Sequence, residues 1–251
     1  MLCILYVLSI LQGSKDTLIV IELGAELIST IKLYGVLPFA VIFTLIYIKL
    51  TNTFTRLQIY HLLNFCFISF FIIFDLFLYP NADTLHFDLH YLELKFPIFK
   101  YQFIMISNWA FTFFYIASEL WGNVMLALMF WQVINQLYTV EQARKYYPLF
   151  GIIGELGLFL SGIVMTYFTS AKFTSDWSES LDYITFSIVI AGILISIFIH
   201  ILSTNIVDKT IINGKNIKST RPKLSLIESF KYIISSKFLN YGISINVLEG
   251  V

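Results

Sequence analysis

Three places in this sequence set ionisable side chains inside long apolar runs. Lys15 and Asp16 interrupt the first run, Glu119 falls near the middle of the fourth within Phe113-Phe114-Tyr115-Ile116-Ala117-Ser118-Glu119-Leu120-Trp121-Gly122, and Glu249 lies in the opening of the last. A charge held inside a bilayer costs on the order of 3 kcal/mol or more, so such groups face a polar cavity or a partner of opposite sign. Glu119 is too short to reach water from mid-bilayer by bending along the helix. The chemistry these residues suit is charge pairing along a polar path. Two plainer readings stay open: a protonated or hydrogen-bonded Glu119 between helices, and Lys15 as the positive flank of a helix that ends at Gln12.

Other polar groups carry less. Asp75 lies close enough to Tyr79-Pro80 to sit at an outer interface, and Glu155 lies on a line of small residues, so both read as structural. Gly151, Gly154, Gly157, Ser161 and Gly162, three or four apart, let another helix approach closely. His86, Asp88 and His90 alternate and would share one face of an extended segment, but three mixed ligands in a loop are a weak metal signal, and no metal site is assigned. No Gly-x-Ser-x-Gly elbow, His-Glu-x-x-His motif or Gly-x-x-x-x-Gly-Lys loop is present, which disfavours an enzyme.

The elements that must position these residues are membrane spans. Of 251 residues, 58% are apolar or aromatic and 13% charged, against about a quarter charged in a soluble domain. A crossing helix needs roughly 20 mostly apolar residues. Such runs occur at 1–20, 33–48, 57–79, 103–137, 147–168 and 183–202, and a seventh begins after Leu239. The first is expected to be interrupted at Gly13-Ser14-Lys15-Asp16; the fourth is too long for one perpendicular crossing and must tilt, protrude or break. The two cysteines, Cys3 and Cys66, lie in apolar runs and do not suggest a disulfide. No signal peptide is read at the start, and the sequence looks truncated at both ends.

Loop charge sets the expected orientation. Lys49 and Arg56, then Arg144 and Lys145 against Glu141, then a basic stretch from Lys209 to Lys237, mark three loops as cytoplasmic; the alternate loops are acidic. The amino terminus and the long basic loop are therefore expected inside. The domain plan is a six-helix bundle over 1–203, a cytoplasmic basic linker over 204–238 and the start of a second bundle over 239–251. This all-α arrangement is the plan of half a two-bundle transporter, with a receptor or channel of six or seven spans as the alternative.

The fourth and fifth spans add specific motifs: Glu119-Leu120-Trp121-Gly122, Phe130-Trp131-Gln132, Asn135-Gln136, Glu141-Gln142-Ala143-Arg144-Lys145-Tyr146-Tyr147-Pro148-Leu149-Phe150-Gly151 and Ser161-Gly162. With Lys15-Asp16-Thr17-Leu18-Ile19-Val20 and the block from Tyr241 to Val251, they closely resemble the ATP/ADP translocase family of plastids, intracellular bacteria and microsporidia. The resemblance implies a twelve-span, major-facilitator-type exchanger of ATP for ADP that hydrolyses neither, with charged residues of the first, fourth and seventh helices mattering for transport; these match Lys15, Glu119 and Glu249. A further lysine would belong to a second half. Glu155 departs from the family, which usually has a neutral or amide residue there.

On that resemblance Lys15, beside Asp16, is the expected phosphate contact, and Glu119 or Glu249 takes the phosphate's place as counter-ion when the site is empty. Trp109, Tyr115 and Trp121 are candidates for stacking on adenine, and Asn135 for hydrogen bonding to it, each also readable as helix packing. Arg144 and Lys145 are candidates for attracting nucleotide to the cytoplasmic mouth, although the positive-inside rule accounts for them without that role. The expected partners are ATP and ADP, the lipid bilayer and a C-terminal bundle, with no cofactor and no nucleic acid. Alternatives are a carrier of another nucleotide or phosphorylated metabolite, and a non-transporting receptor or scaffold built from a transporter half.

Overall fold

A computed structural model describes residues 1–137, 140–170 and 176–212, with side chains described over 1–134, 145–170 and 176–201. The proposed seventh span, Glu249 and most of the basic linker therefore lie outside the described residues, as do the side chains of Asn135 and Arg144. Within them the chain is helical, with no strand, and six helices are long and apolar enough to cross a membrane. These are α1 (Leu2–Glu22), α2 (Leu27–Thr53) and α3 (Arg56–Leu78), then, after the short helices α4 (Ala82–Leu85), α5 (His90–Lys95) and α6 (Lys100–Ser107), α7 (Trp109–Ile134), α8 (Val140–Phe168) and α9 (Trp177–Ile212). The last helix continues past residue 203 to Ile212, so the first part of the expected linker has helical backbone.

The first span is not interrupted, contrary to expectation. Gly13, Ser14, Lys15 and Asp16 all lie within the single helix α1. In lipid every backbone N–H and C=O needs an internal partner, which favours helix even through residues of poor helical propensity. Ser14 satisfies its own hydroxyl by donating to the Ile10 carbonyl at 2.8 Å. The fourth apolar run does break: Asn108, at φ −99° and ψ 50°, separates α6 from α7. The Trp109 indole N–H then donates to the Leu85 carbonyl at 2.9 Å, tying the top of α7 to the loop helices. His90 opens α5 rather than continuing an extended segment, so the alternation of His86, Asp88 and His90 does not gather them on one face.

Helix α1 is the axle of the bundle, packed between α7, α8 and α9. Its Ile4, Val7, Ile10, Leu11, Leu18 and Ile19 are all at most 2% exposed. Alpha-8 reaches it through small residues. A β-carbon on Gly157 would collide with the Leu2 carbonyl oxygen and lie 3.2 Å from the Tyr6 nitrogen, and one on Gly154 would collide with Leu5. Ser161 is fully buried on the same side of α8, and Met165 follows with its methyl 3.1 Å from the Cβ position of Gly13. Gly151 and Gly162 meet nothing within 4 Å among the described residues, so only part of the glycine series is a packing face. These contacts make α1 and α8 parallel, while the pairing of Leu8 with Gly122 and of Lys15 with Glu119 makes α1 and α7 antiparallel.

The remaining contacts brace this centre. Asn64 of α3 donates to the Gly192 carbonyl and the Ser196 hydroxyl of α9, both at 2.8 Å, and Tyr47 of α2 donates to Gln132 of α7 at 2.8 Å. Alpha-2 otherwise presents Leu37, Val41, Ile42, Leu45 and Ile46 outward, an apolar face suited to lipid. Three stretches, Ile31–Val36, Phe74–Leu78 and Asn123–Phe130, are wound as π-helix. Asp75 lies in the second of these and is only 8% exposed.

The glycine contact predicts a matched pair of results. Gly157→Val drives a branched side chain into the backbone of α1 and should lower stability by about 1–3 kcal/mol or prevent folding, whereas Gly162→Val, which meets open space, should change it by less than about 1 kcal/mol. Thermal unfolding and monodispersity of the detergent-purified complete gene product check both; equal behaviour of the two variants would contradict the packing described.

Candidate functional site

The Lys15 side chain is 4% exposed and reaches from α1 to α7. Its ammonium lies 2.9 Å from Asp16 Oδ1 and 3.1 Å from Glu119 Oε2, and donates to the Tyr115 hydroxyl at 3.2 Å. It also stands 4.2 Å from the centre of the Tyr115 ring. Four groups from two antiparallel helices thus converge on one nitrogen. The register follows from helix geometry: Tyr115 and Glu119 are one turn apart on α7 and face Lys15 together. Lys15 precedes the last residue of α1 by seven positions, about 10 Å along the axis, so the site lies inside the bundle but toward one end.

The charge balance is asymmetric. One ammonium faces two carboxylates, a local net of −1 if all three are ionised. The cation is enclosed, whereas the Asp16 and Glu119 side chains are 49% and 28% exposed. Both carboxylates can therefore be hydrated or displaced more readily than the ammonium can leave. Below Glu119 an open groove of about 130 Å³ runs between α1 and α7, lined by Leu8, Gln12, Ser118, Glu119, Gly122, Asn123, Leu126 and Ala127. Its lower wall is the π-helical stretch that begins at Asn123; such locally widened turns are frequent at functional sites.

The residues singled out from sequence divide clearly. Lys15, Asp16, Glu119 and Tyr115 come together, with Tyr115 fully buried as a partner of the ammonium. Trp121 is 1% exposed in the core, with no ring face open to a ligand, and Trp109 is anchored to Leu85 with its ring edge-on to Phe113. Lys145 is exposed, its ammonium 5.9 Å from the Tyr146 ring, and lies about 30 Å along α8 from Met165, which packs beside Gly13. Glu155 is exposed. Among the described residues no three His, Cys, Asp or Glu side chains cluster as metal ligands would. Sequence reasoning missed Gln12 and Asn123, although the signal was there: Gln12 is four residues from Asp16, and Asn123 four from Glu119.

A buried ammonium held by a part-exposed carboxylate predicts strong energetic coupling. In a double-mutant cycle on Lys15→Met and Glu119→Gln, the two changes together should cost less than their sum, with a coupling of about 0.5–3 kcal/mol. Denaturant unfolding in mixed micelles measures it, and simple additivity would mean that the pair is not formed.

Residues 1–251 match the TLC ATP/ADP transporter family. The sequence is 35% identical over 280 residues to ADP,ATP carrier protein 3 of Rickettsia bellii (strain RML369-C), an alignment covering all of this chain and 56% of that protein. It is 36% identical over 278 residues to ADP,ATP carrier protein 3 of Rickettsia prowazekii (strain Madrid E), covering 55% of it, and 33% identical over 270 residues to ADP,ATP carrier protein 4 of the same strain, covering 53%. The chain thus spans about half the length of the curated relatives it matches. No solved structure matches it. The chain belongs to the TLC ATP/ADP transporter family, and it is an integral, multi-pass, all-α membrane protein.

Proposed function

We propose that the complete gene product containing this chain exchanges ATP for ADP across a membrane by alternating access, without hydrolysing either. The observation that carries the proposal is the Lys15 ammonium, buried between α1 and α7 and neutralised by Asp16 and Glu119 at the head of an open groove. The names of the matched relatives, ADP,ATP carriers, support the choice of substrate.

The geometry suggests how exchange follows. A polyphosphate cannot enter a low-dielectric cavity without cationic partners, and Lys15 supplies one. For phosphate to take the ammonium, Glu119 and Asp16 must yield it, and their partial exposure favours that. On release the carboxylates return, so an empty site is never an unpaired buried cation. Because the resting site carries a net negative charge, further positive charge must come from elsewhere; a second bundle, with Glu249 at its start as an additional counter-ion, is where this reading puts it. Asn135 keeps its proposed role in hydrogen bonding to adenine, and Arg144 and Lys145 theirs at the cytoplasmic mouth, with the amino terminus and the basic loop on the cytoplasmic side. Of the three proposed stacking residues, Tyr115 is retained in a different role, as a ligand of Lys15.

The test is uptake of labelled ATP into intact bacterial cells that express the complete gene product and are preloaded with ADP. Uptake should require internal nucleotide. Lys15→Ala should lower it by about 10–100-fold, the loss of a charge-assisted contact worth roughly 1.5–3 kcal/mol, and Glu119→Gln should lower turnover by slowing the counter-ion return. Normal uptake by well-expressed Lys15→Ala would remove the ammonium from the pathway; absence of any nucleotide uptake by the wild type would redirect attention to other phosphorylated substrates or to a non-transporting role.

A further inference from the structure

The groove below the ammonium changes character within one helical turn. Leu8, Gln12 and Asp16 lie four residues apart on one line of α1, and Glu119, Asn123 and Ala127 on the facing line of α7. Gln12 and Asn123 are both exposed, and both line the groove. Carboxamides on the outer surface of a membrane bundle do not suit lipid, and this pair shares its wall with the carboxylate of Glu119. Asn123 is partly committed: its Nδ2 donates to the Glu119 carbonyl at 3.1 Å, which leaves Oδ1 as its acceptor. The Gln12 side chain makes no hydrogen bond to other described residues, so its amide retains both donor and acceptor.

We propose that Gln12 and Asn123 form a nucleoside subsite, in which Gln12 reads the edge of the base and Asn123 Oδ1 accepts from the sugar or the base. This rests on the nucleotide-exchange reading above and adds the direction in which the substrate lies. Charge sets that direction. Phosphates go to the Lys15 end, because Glu119 stands between the ammonium and the lower groove and repels anions from it. The lower groove offers what a base needs instead: neutral amides for its polar edge and Leu8, Leu126 and Ala127 for its apolar faces. A carboxamide matches the adjacent ring acceptor and amino donor of adenine with two hydrogen bonds; cytosine carries the same pair, whereas guanine presents a carbonyl and an N–H at the corresponding places, so the subsite separates adenine from guanine.

The experiment measures inhibition of labelled ATP uptake by unlabelled GTP, CTP, ADP and AMP, in intact cells expressing the complete gene product. Gln12→Leu and Asn123→Leu should narrow the preference for ATP over GTP, by about tenfold for Gln12→Leu, while the ranking of ADP over AMP, which reports phosphate recognition, stays as in wild type. Gln12→Glu keeps the side-chain shape but loses the amide donor, and should shift the ranking toward GTP, whose base presents two adjacent donors to a carboxylate. A wild-type base ranking in all the variants overturns the subsite, whether their uptake is unchanged or uniformly reduced, and would make the two amides packing groups. A wild type that takes up no nucleotide overturns the exchange reading itself, an outcome distinct from a transporter whose base ranking ignores both amides.

Discussion

The structure is organised around one enclosed ammonium. Lys15 is buried within an unbroken membrane helix, and an unpaired cation there would be expensive. Every nearby feature reduces that expense: Asp16 on the same helix, Glu119 and the Tyr115 hydroxyl on α7, and the Tyr115 ring beside the charge. The two carboxylates exceed the cation in number and remain partly exposed, so the ammonium is neutralised by the protein alone. A hydrophobic replacement of the same groups would pack as well or better, which is why a retained buried ion pair points to a role other than stability.

That ammonium is in place only because α1 occupies the middle of the bundle. Close approach of two helix backbones needs residues without bulk, and α8 supplies Gly154, Gly157 and Ser161 along the side that meets α1. Gly122 does the same from α7, where a β-carbon would collide with Leu8. The packing and the site are therefore one construction: the glycines draw the helices together, and the antiparallel register of α1 and α7 then puts Lys15 opposite the turn that holds Tyr115 and Glu119.

Much of this was legible from residues alone. Six crossings follow from apolar run length, and the charged positions in the first and fourth runs stand out because the bilayer makes charges rare. Three features were not legible. The Gly13-Ser14-Lys15-Asp16 segment reads as a helix breaker in water, but in lipid the backbone's need for internal hydrogen bonds outweighs weak local propensity. Which aromatic rings are open and which are packed depends on helix rotation, and the apolar runs here are too uniform to reveal it: Trp121 and Tyr115 look alike in sequence, yet one is core and the other a ligand of the ammonium. Gln12 and Asn123 acquire meaning only once α1 and α7 are known to be antiparallel neighbours.

The adjacency of Lys15 and Asp16 also bears on how the protein is made. Glu119 follows Lys15 by 104 residues, so at about 5–20 residues per second a growing chain runs for roughly 5–20 s between exposing the lysine and producing its distant partner. Throughout that interval α1 already carries its own counter-charge one residue away. A nascent helix whose lysine is already paired within the helix can be released into the bilayer and wait there, and the later arrival of α7 then completes a pair that was never left open.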